Sequence, residues 1–261
     1  MATALTEKET EAAHAAVDYN TYRMSMVERC LYILAAAILL FALGYIFYRS
    51  LVLAALMTPL ALLYPRIRTK QLIAKRKRQL LLQFKEMLYS LSSTIGAGSS
   101  VANAVDIVLD DMERQYDKDA FIINELELMS SRIAMNRTVE EVFADFAQRS
   151  GLDDVRTFAS IFEIAKRTGG NLIEIIRQTS TVITEKIEIK LEMQTMLAGK
   201  RFEQKVLTFI PVGLVWMLTE TTSGFMEPIF TTAVGRIVAT AALAIIGVGY
   251  FWSKKIAEIE V

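Results

Sequence analysis

The sequence predicts an all-α integral membrane protein in which two N-terminal and two C-terminal transmembrane helices flank a cytoplasmic six-helix bundle. Three observations predict it. Apolar residues make up 53% of the 261 positions, and the excess is concentrated before Arg66 and after Lys205. Between those limits there is no proline; Pro59, Pro65, Pro211 and Pro228 all lie in or beside the apolar blocks. Proline costs about 3 kcal/mol inside a helix, so its absence over such a stretch favours helices. Apolar residues also recur there at three- and four-residue steps.

The first span is Cys30–Tyr48, uncharged and long enough for a hydrocarbon core that takes about 20 helical residues. After Arg49 and Ser50, Leu51–Tyr64 forms a second, shorter run containing Pro59, which can cross if Arg49 and Arg66 snorkel. A re-entrant path for this run is the alternative, and it would put the leader outside. Val206–Thr219 and Ile237–Trp252 form the C-terminal pair. Gly247 and Gly249, in the second of these, suit close helix packing. Positive charge flanks the runs on one side: Arg66, Arg68, Lys70, Lys75, Arg76, Lys77 and Arg78, then Lys200, Arg201 and Lys205, then Lys254 and Lys255. Arg23 and Arg29 of the leader agree. The positive-inside rule places all of these in the cytoplasm. The expected organisation is a cytoplasmic leader (1–29), a transmembrane hairpin (30–64), a cytoplasmic helical domain (65–205), a second hairpin (206–252) and a cytoplasmic tail (253–261). The leader carries five acidic side chains and so does not read as a cleavable signal peptide.

In the middle region Leu80, Phe84, Leu88, Leu91 and Ile95 mark one face of a first helix. Gly96 and Gly98 stop it, Gly98 as a C-cap needing positive φ. Ser99 or Ser100 caps a second helix with Val101, Val105, Val108 and Met112 inward. Asp117–Asp119 is a polar break before a third helix, about Phe121–Met135, with Leu126, Met129 and Ile133 inward. Thr138 and Glu141 form a capping box for a fourth, which Gly151 ends. Asp153 and Asp154 suit the dipole of a fifth. Gly169 and Gly170 close it, and Asn171 can cap a long sixth. Within that last helix Ile187, Ile189, Leu191 and Met193 also alternate as a strand would, but the Glu, Lys, Gln and Met around them favour helix.

Function classes fall away on composition. The 29 basic and 29 acidic side chains cancel, so no nucleic-acid partner is expected. Cys30 is the only cysteine and His14 the only histidine, so neither a disulfide nor a Cys/His metal cluster can form within the chain. There is no P-loop, GxSxG or HExxH, and no cofactor is expected. The four apolar runs carry no ionisable side chain of the kind that ion-coupled transporters place at depth. Asp110, Asp111, Asp117 and Asp119 form an acidic cluster without an EF-hand spacing, readable as a solvated helix end or an electrostatic docking patch. Arg66, Arg68, Lys70, Lys75 and Arg76 read as contacts to anionic lipid headgroups. A membrane-anchored enzyme and a small transporter or channel subunit remain as rival classes.

Three segments carry a resemblance to a known family: FKEMLYSLSSTIGAGSSVANAV (Phe84–Val105), AKRTGGNLIEII (Ala165–Ile176) and LAGKRFEQKVLTFIP (Leu197–Pro211). With the apolar runs around them, they resemble the type II secretion system F family, particularly its tight-adherence (Tad) pilus branch. The resemblance runs from about Tyr64 to the C-terminus. It implies a non-enzymatic platform in the inner (plasma) membrane with both termini cytoplasmic. The implied partners are a secretion or pilus assembly ATPase, a paralogous platform protein and pilin subunits, in a homo- or hetero-oligomer. On that reading the acidic Asp110–Asp119 turn and the turn containing Arg167 and Asn171 are the expected docking residues, both on a membrane-distal surface. Gly96, Gly98, Gly169 and Gly170 are structural turns.

Overall fold

The computed structural model describes residues 17–22, 24–168, 172–222, 224 and 226–259, and among these every regular element is helical. The chain forms two compact units. Unit 1 comprises residues 1–23 and 70–189, and unit 2 comprises residues 24–69 and 190–261. The helices are α1 (Met26–Tyr48), α2 (Leu51–Met57), a 3-10 segment (Thr58–Leu63), α3 (Tyr64–Gly96), α4 (Val101–Gln115), α5 (Phe121–Ala134), α6 (Val139–Ser150), α7 (Asp153–Thr168), α8 (Leu172–Thr221), α9 (Glu227–Thr231) and α10 (Ala233–Ile259). Two of them, α3 and α8, contribute to both units.

Unit 1 is built from residues 70–96 of α3, all of α4–α7 and residues 172–189 of α8. Its core holds the inward faces expected from the spacing: Leu80, Phe84 and Leu88 on α3, Val105 and Met112 on α4, Leu126 and Met129 on α5. Phe84, Phe143, Phe146, Phe158 and Phe162 form its aromatic centre, with Phe143 edge-on to Phe158 at 5.3 Å. Each buried ring contributes about 1.5–3 kcal/mol by burial, and an edge-on pair about 0.5–1.5 kcal/mol more.

Local chemistry sets the helix ends. Gly98 has φ +97° and its N–H donates to the Ile95 carbonyl at 2.9 Å, closing α3. Ser100 Oγ accepts from the Asn103 N–H at 3.3 Å and starts α4. Asn136, at φ 63°, follows α5 in the left-handed position that asparagine tolerates. Thr138 and Glu141 form the full capping box of α6, and Gly151, at φ 58°, ends it. The stretch Ile187–Met193 lies inside α8, so the helical reading of that segment holds and the strand reading does not. Gly169, Gly170 and Asn171 lie outside the described residues.

In unit 2, α1 has 23 residues and reaches about 34 Å, enough for a 30 Å hydrocarbon core. Among the described residues three helical runs are long and apolar enough to cross a membrane: Met26–Tyr48, the run from Leu51 through Gly96 at its apolar start, and Ala233–Ser253. Their side chains face outward, Leu34 and Ile38 being 62% and 63% exposed, as lipid-facing positions require. Val206–Thr219 is not among the three. It is an uninterrupted part of α8 in which 14 residues reach about 21 Å, short of a hydrocarbon core.

Unit 2 has its own small core of Phe47, Tyr48 and Ala239, packed by Leu43, Val215 and Leu243. Tyr48 and Thr240 share a hydrogen bond of 2.8 Å. Close helix packing is at Gly44 rather than at Gly247 and Gly249. A Cβ at Gly44 would stand 2.9 Å from the Ala54 Cα, whereas at the other two it would meet nothing within 4 Å.

Candidate functional site

The most elaborate polar site of unit 1 is made by the leader. Residues 17–22 have no helical periodicity, yet Tyr19 is fully buried. Its N–H donates to the Arg149 carbonyl at 3.0 Å, and its ring stands edge-on to Phe121 at 5.7 Å. Its hydroxyl donates to Glu125 Oε1 at 2.9 Å. Glu125 projects inward from α5 and is 1% exposed. Two nitrogens of Arg149, on α6, hold its carboxylate at 2.7 and 2.6 Å. Arg149 also donates to Asp145 at 2.7 Å, and Asp145 accepts from Arg132 at 2.5 Å. Two carboxylates and two guanidiniums thus compensate one another, and the pair Glu125–Arg149 is the buried part, where an unpaired charge is strongly destabilising.

These contacts shift the groups in consistent directions. Burial, followed by the Glu125 charge and hydrogen bond, pushes the Tyr19 hydroxyl far above its ordinary value. Burial works against the Arg149 charge, but Glu125 and Asp145 outweigh it and hold the guanidinium firmly protonated. Burial likewise raises the Asp145 carboxyl, and the bonds from Arg149 and Arg132 reverse the sign, leaving it below the usual carboxylate range.

Asn20 and Tyr22 are fastened nearby. Asn20 Nδ2 donates to the Arg149 carbonyl at 3.1 Å, and its Oδ1 accepts from Lys77 Nζ at 2.7 Å. Lys77 also reaches the Gly151 carbonyl at 3.2 Å. Arg76 lies between two rings, 5.3 Å from that of Tyr22 and 5.5 Å from that of Phe121. Arg76 is therefore committed to cation–π contacts inside unit 1 rather than free for a headgroup. Arg68 similarly stacks on Tyr32 at 5.4 Å in unit 2, while Arg66, Lys70 and Lys75 are exposed. Arg23 and His14 lie outside the described residues, as do the side chains of Arg201, Lys254 and Lys255.

The structure separates the two turns expected to share one surface. Consecutive helices of unit 1 alternate in direction. Ser90 donates to Asp111 at 2.7 Å and Gln83 accepts from the Ile122 N–H at 3.2 Å. The 116–120 turn therefore sits beside the middle of α3, on its Lys70 side. The α3–α4 turn and the end of α7, with Arg167, lie at the opposite end. Asp110, Asp117 and Asp119 are exposed, Asp111 is half-buried and tied to Ser90, and Arg167 pairs with Glu163 at 2.5 Å. Among the described residues no group of His, Cys, Asp and Glu is placed to hold a metal ion.

Two further cavities are notable. In unit 2 a polar one of about 550 Å³ is lined by Tyr48, Arg49, Glu227 and Arg236, with Arg49 in the left-handed region at φ 44°. In unit 1 a hydroxyl-lined groove of about 550 Å³ runs between Tyr89–Gly96 of α3 and Arg177–Glu185 of α8.

An all-helical chain with helices able to cross a membrane, joined to a helical unit with its own aromatic core, defines an integral membrane protein with a folded helical domain. Residues 87–220, just over half of the chain, match the family model of type II secretion system protein F, and the chain belongs to that family of non-enzymatic membrane platform proteins of secretion and pilus-type machines. Comparisons with curated proteins and with solved structures find no match. Glu125, Arg149 and Gly151 of the leader site lie within the matched residues, and Tyr19, Arg76 and Lys77 lie before them.

Proposed function

We propose that this chain is the inner-membrane platform of a tight-adherence-type pilus machine. In this reading it couples a cytoplasmic assembly ATPase to the extraction of pilin subunits from the bilayer and their polymerisation. The family match over residues 87–220 carries the reading. A paralogous platform protein and membrane lipids complete the set of partners, and the platform works as a homo- or hetero-oligomer. The proposed topology has four spans, with Val206–Thr219 crossing as a short one, and both termini in the cytoplasm.

Burial of Tyr19 in unit 1 supports that topology. Residues 17–22 and 70–189 belong to one folded unit, so the chain between them begins and ends on the same side of the membrane. An even number of crossings then lies between Tyr22 and Lys70, which favours the hairpin over a re-entrant second segment. The positive charge of residues 66–78 puts that side in the cytoplasm.

The experiment is a deletion strain scored for surface pili and complemented by the full chain, by Asp110→Lys/Asp119→Lys and by Arg167→Glu. Asp111 is left intact because its bond to Ser90 belongs to the fold. The full chain should restore pili. A charge-reversed variant that accumulates normally but restores none identifies the ATPase-facing end of unit 1. Intact pili in the deletion strain would count against the platform role.

A further inference from the structure

Ser180 is 3% exposed and its hydroxyl has no hydrogen-bond partner among the described residues. Its neighbour Thr181 satisfies its own hydroxyl on the Arg177 carbonyl at 3.0 Å, so the helix offers a local solution that Ser180 does not use. A buried hydroxyl left unmatched is destabilising. Ser180 lines the groove between the end of α3 and the start of α8, together with Ser92, Ser93 and Thr184. Tyr89, on the α3 wall with Ser92 and Ser93, is 72% exposed.

The charges of the groove narrow its ligand. Arg177 and Glu185 are both exposed, and neither takes part in an ion pair among the described residues. They are eight positions apart on α8, about 12 Å along its axis. Opposite signs leave the groove without net charge, which disfavours a phosphate, a nucleotide or an anionic headgroup. Hydroxyls that both donate and accept match the alternating N–H and C=O of an extended main chain. Such a chain covers 12 Å in about four residues, and the groove volume of about 550 Å³ lies within the range of binding sites.

We propose that this groove binds an extended polypeptide segment of a partner protein, its acidic side chain on Arg177, its basic side chain on Glu185 and its main chain on the Ser180 hydroxyl. The site is distinct from the acidic turn and from the Arg167 end of α7, and it would serve whichever machine the chain drives.

The test uses the full chain in lipid nanodiscs, panned against a random heptapeptide library displayed on phage. The recovered peptides should carry one acidic and one basic residue three or four positions apart. Synthetic copies should bind the full chain and lose roughly tenfold in affinity to Arg177→Glu and to Ser180→Ala. The exchange R177E/E185K should select peptides with the two charges in reversed order. Circular dichroism and melting of each variant check that the fold is intact. A library that yields no charge-ordered set overturns the proposal. So do peptides that bind every variant equally, or a Ser180→Ala protein that melts higher and binds unchanged.

Discussion

Tyr19 and Glu125 lie 106 positions apart in the chain, and the hydroxyl of one donates to the carboxylate of the other at 2.9 Å inside unit 1. Residues 17–22 are thereby part of the folded domain. Removing the hydroxyl alone should be mild, because Glu125 keeps both bonds from Arg149. Tyr19→Phe should cost about 1 kcal/mol, whereas Tyr19→Ala should cost about 3–5 kcal/mol through the cavity it leaves. Thermal melting of the full chain measures both, and equal melting temperatures for the two variants would contradict the burial of the ring.

The same bond makes the leader sensitive to alkali. The Tyr19 hydroxyl is raised above the ordinary tyrosine value, so the folded state holds this proton more tightly than the unfolded state. Its contribution is complete below about pH 10 and declines as pH rises beyond that value. Protease cleavage within residues 17–22 should accelerate above about pH 10 in the native protein. In Tyr19→Phe the rate should no longer rise through this group.

Asp145 has the opposite sign. Its carboxyl is held down by Arg149 and Arg132 despite the burial that raises it, so its contribution is present above the ordinary carboxylate value and fades as pH falls below it. Asp145→Asn should flatten the acid limb of a stability profile below about pH 4. An unchanged acid limb would remove Asp145 from the network's energetics.

Gly151 serves two constraints at once. Its φ of 58° costs a non-glycine residue about 1–2 kcal/mol. A Cβ there would also stand 1.9 Å from Asn20 Oδ1. Gly151→Ala should therefore destabilise by more than the backbone cost and release the leader. Asn20→Gly in the same chain should recover the part of the clash due to Asn20, the Lys77 Nζ at 2.6 Å remaining, and a double variant no more stable than Gly151→Ala would show that the Asn20 clash is not felt.

Gly98 and Gly96 make an opposed pair. A Cβ at either meets no atom within 4 Å, so only the backbone distinguishes them. Gly98, at φ +97°, should lose about 1–3 kcal/mol on conversion to Val and lower the abundance of the protein. Gly96 ends α3 without positive φ, and Gly96→Ala should be neutral or stabilising by up to about 1 kcal/mol.

The helix boundaries were legible because their signals are local. Ser100, Thr138, Gly98 and Gly151 each act within four residues of themselves, and each does what its residue type suggests. Leader docking was not legible, since a six-residue segment without periodicity carries no sign of a partner more than a hundred positions away. Two tyrosines in a polar, acidic stretch were the available hint. Glu125 was missed for a related reason: spacing picked out Leu126, Met129 and Ile133 as the inward face of α5, and a charge beside them reads as solvated. The alternation of six helices already implied that Asp117 and Arg167 lie at opposite ends, a parity argument that composition alone does not prompt.

The leader also imposes an order of events on synthesis. The Arg149 and Gly151 that complete the site of Tyr19 leave the ribosome about 130 residues after it, roughly 7–26 s at ordinary elongation rates. The tyrosine-bearing segment cannot be seated before the end of α6 is made, and α7 and the first part of α8 are still to be added to unit 1 at that point.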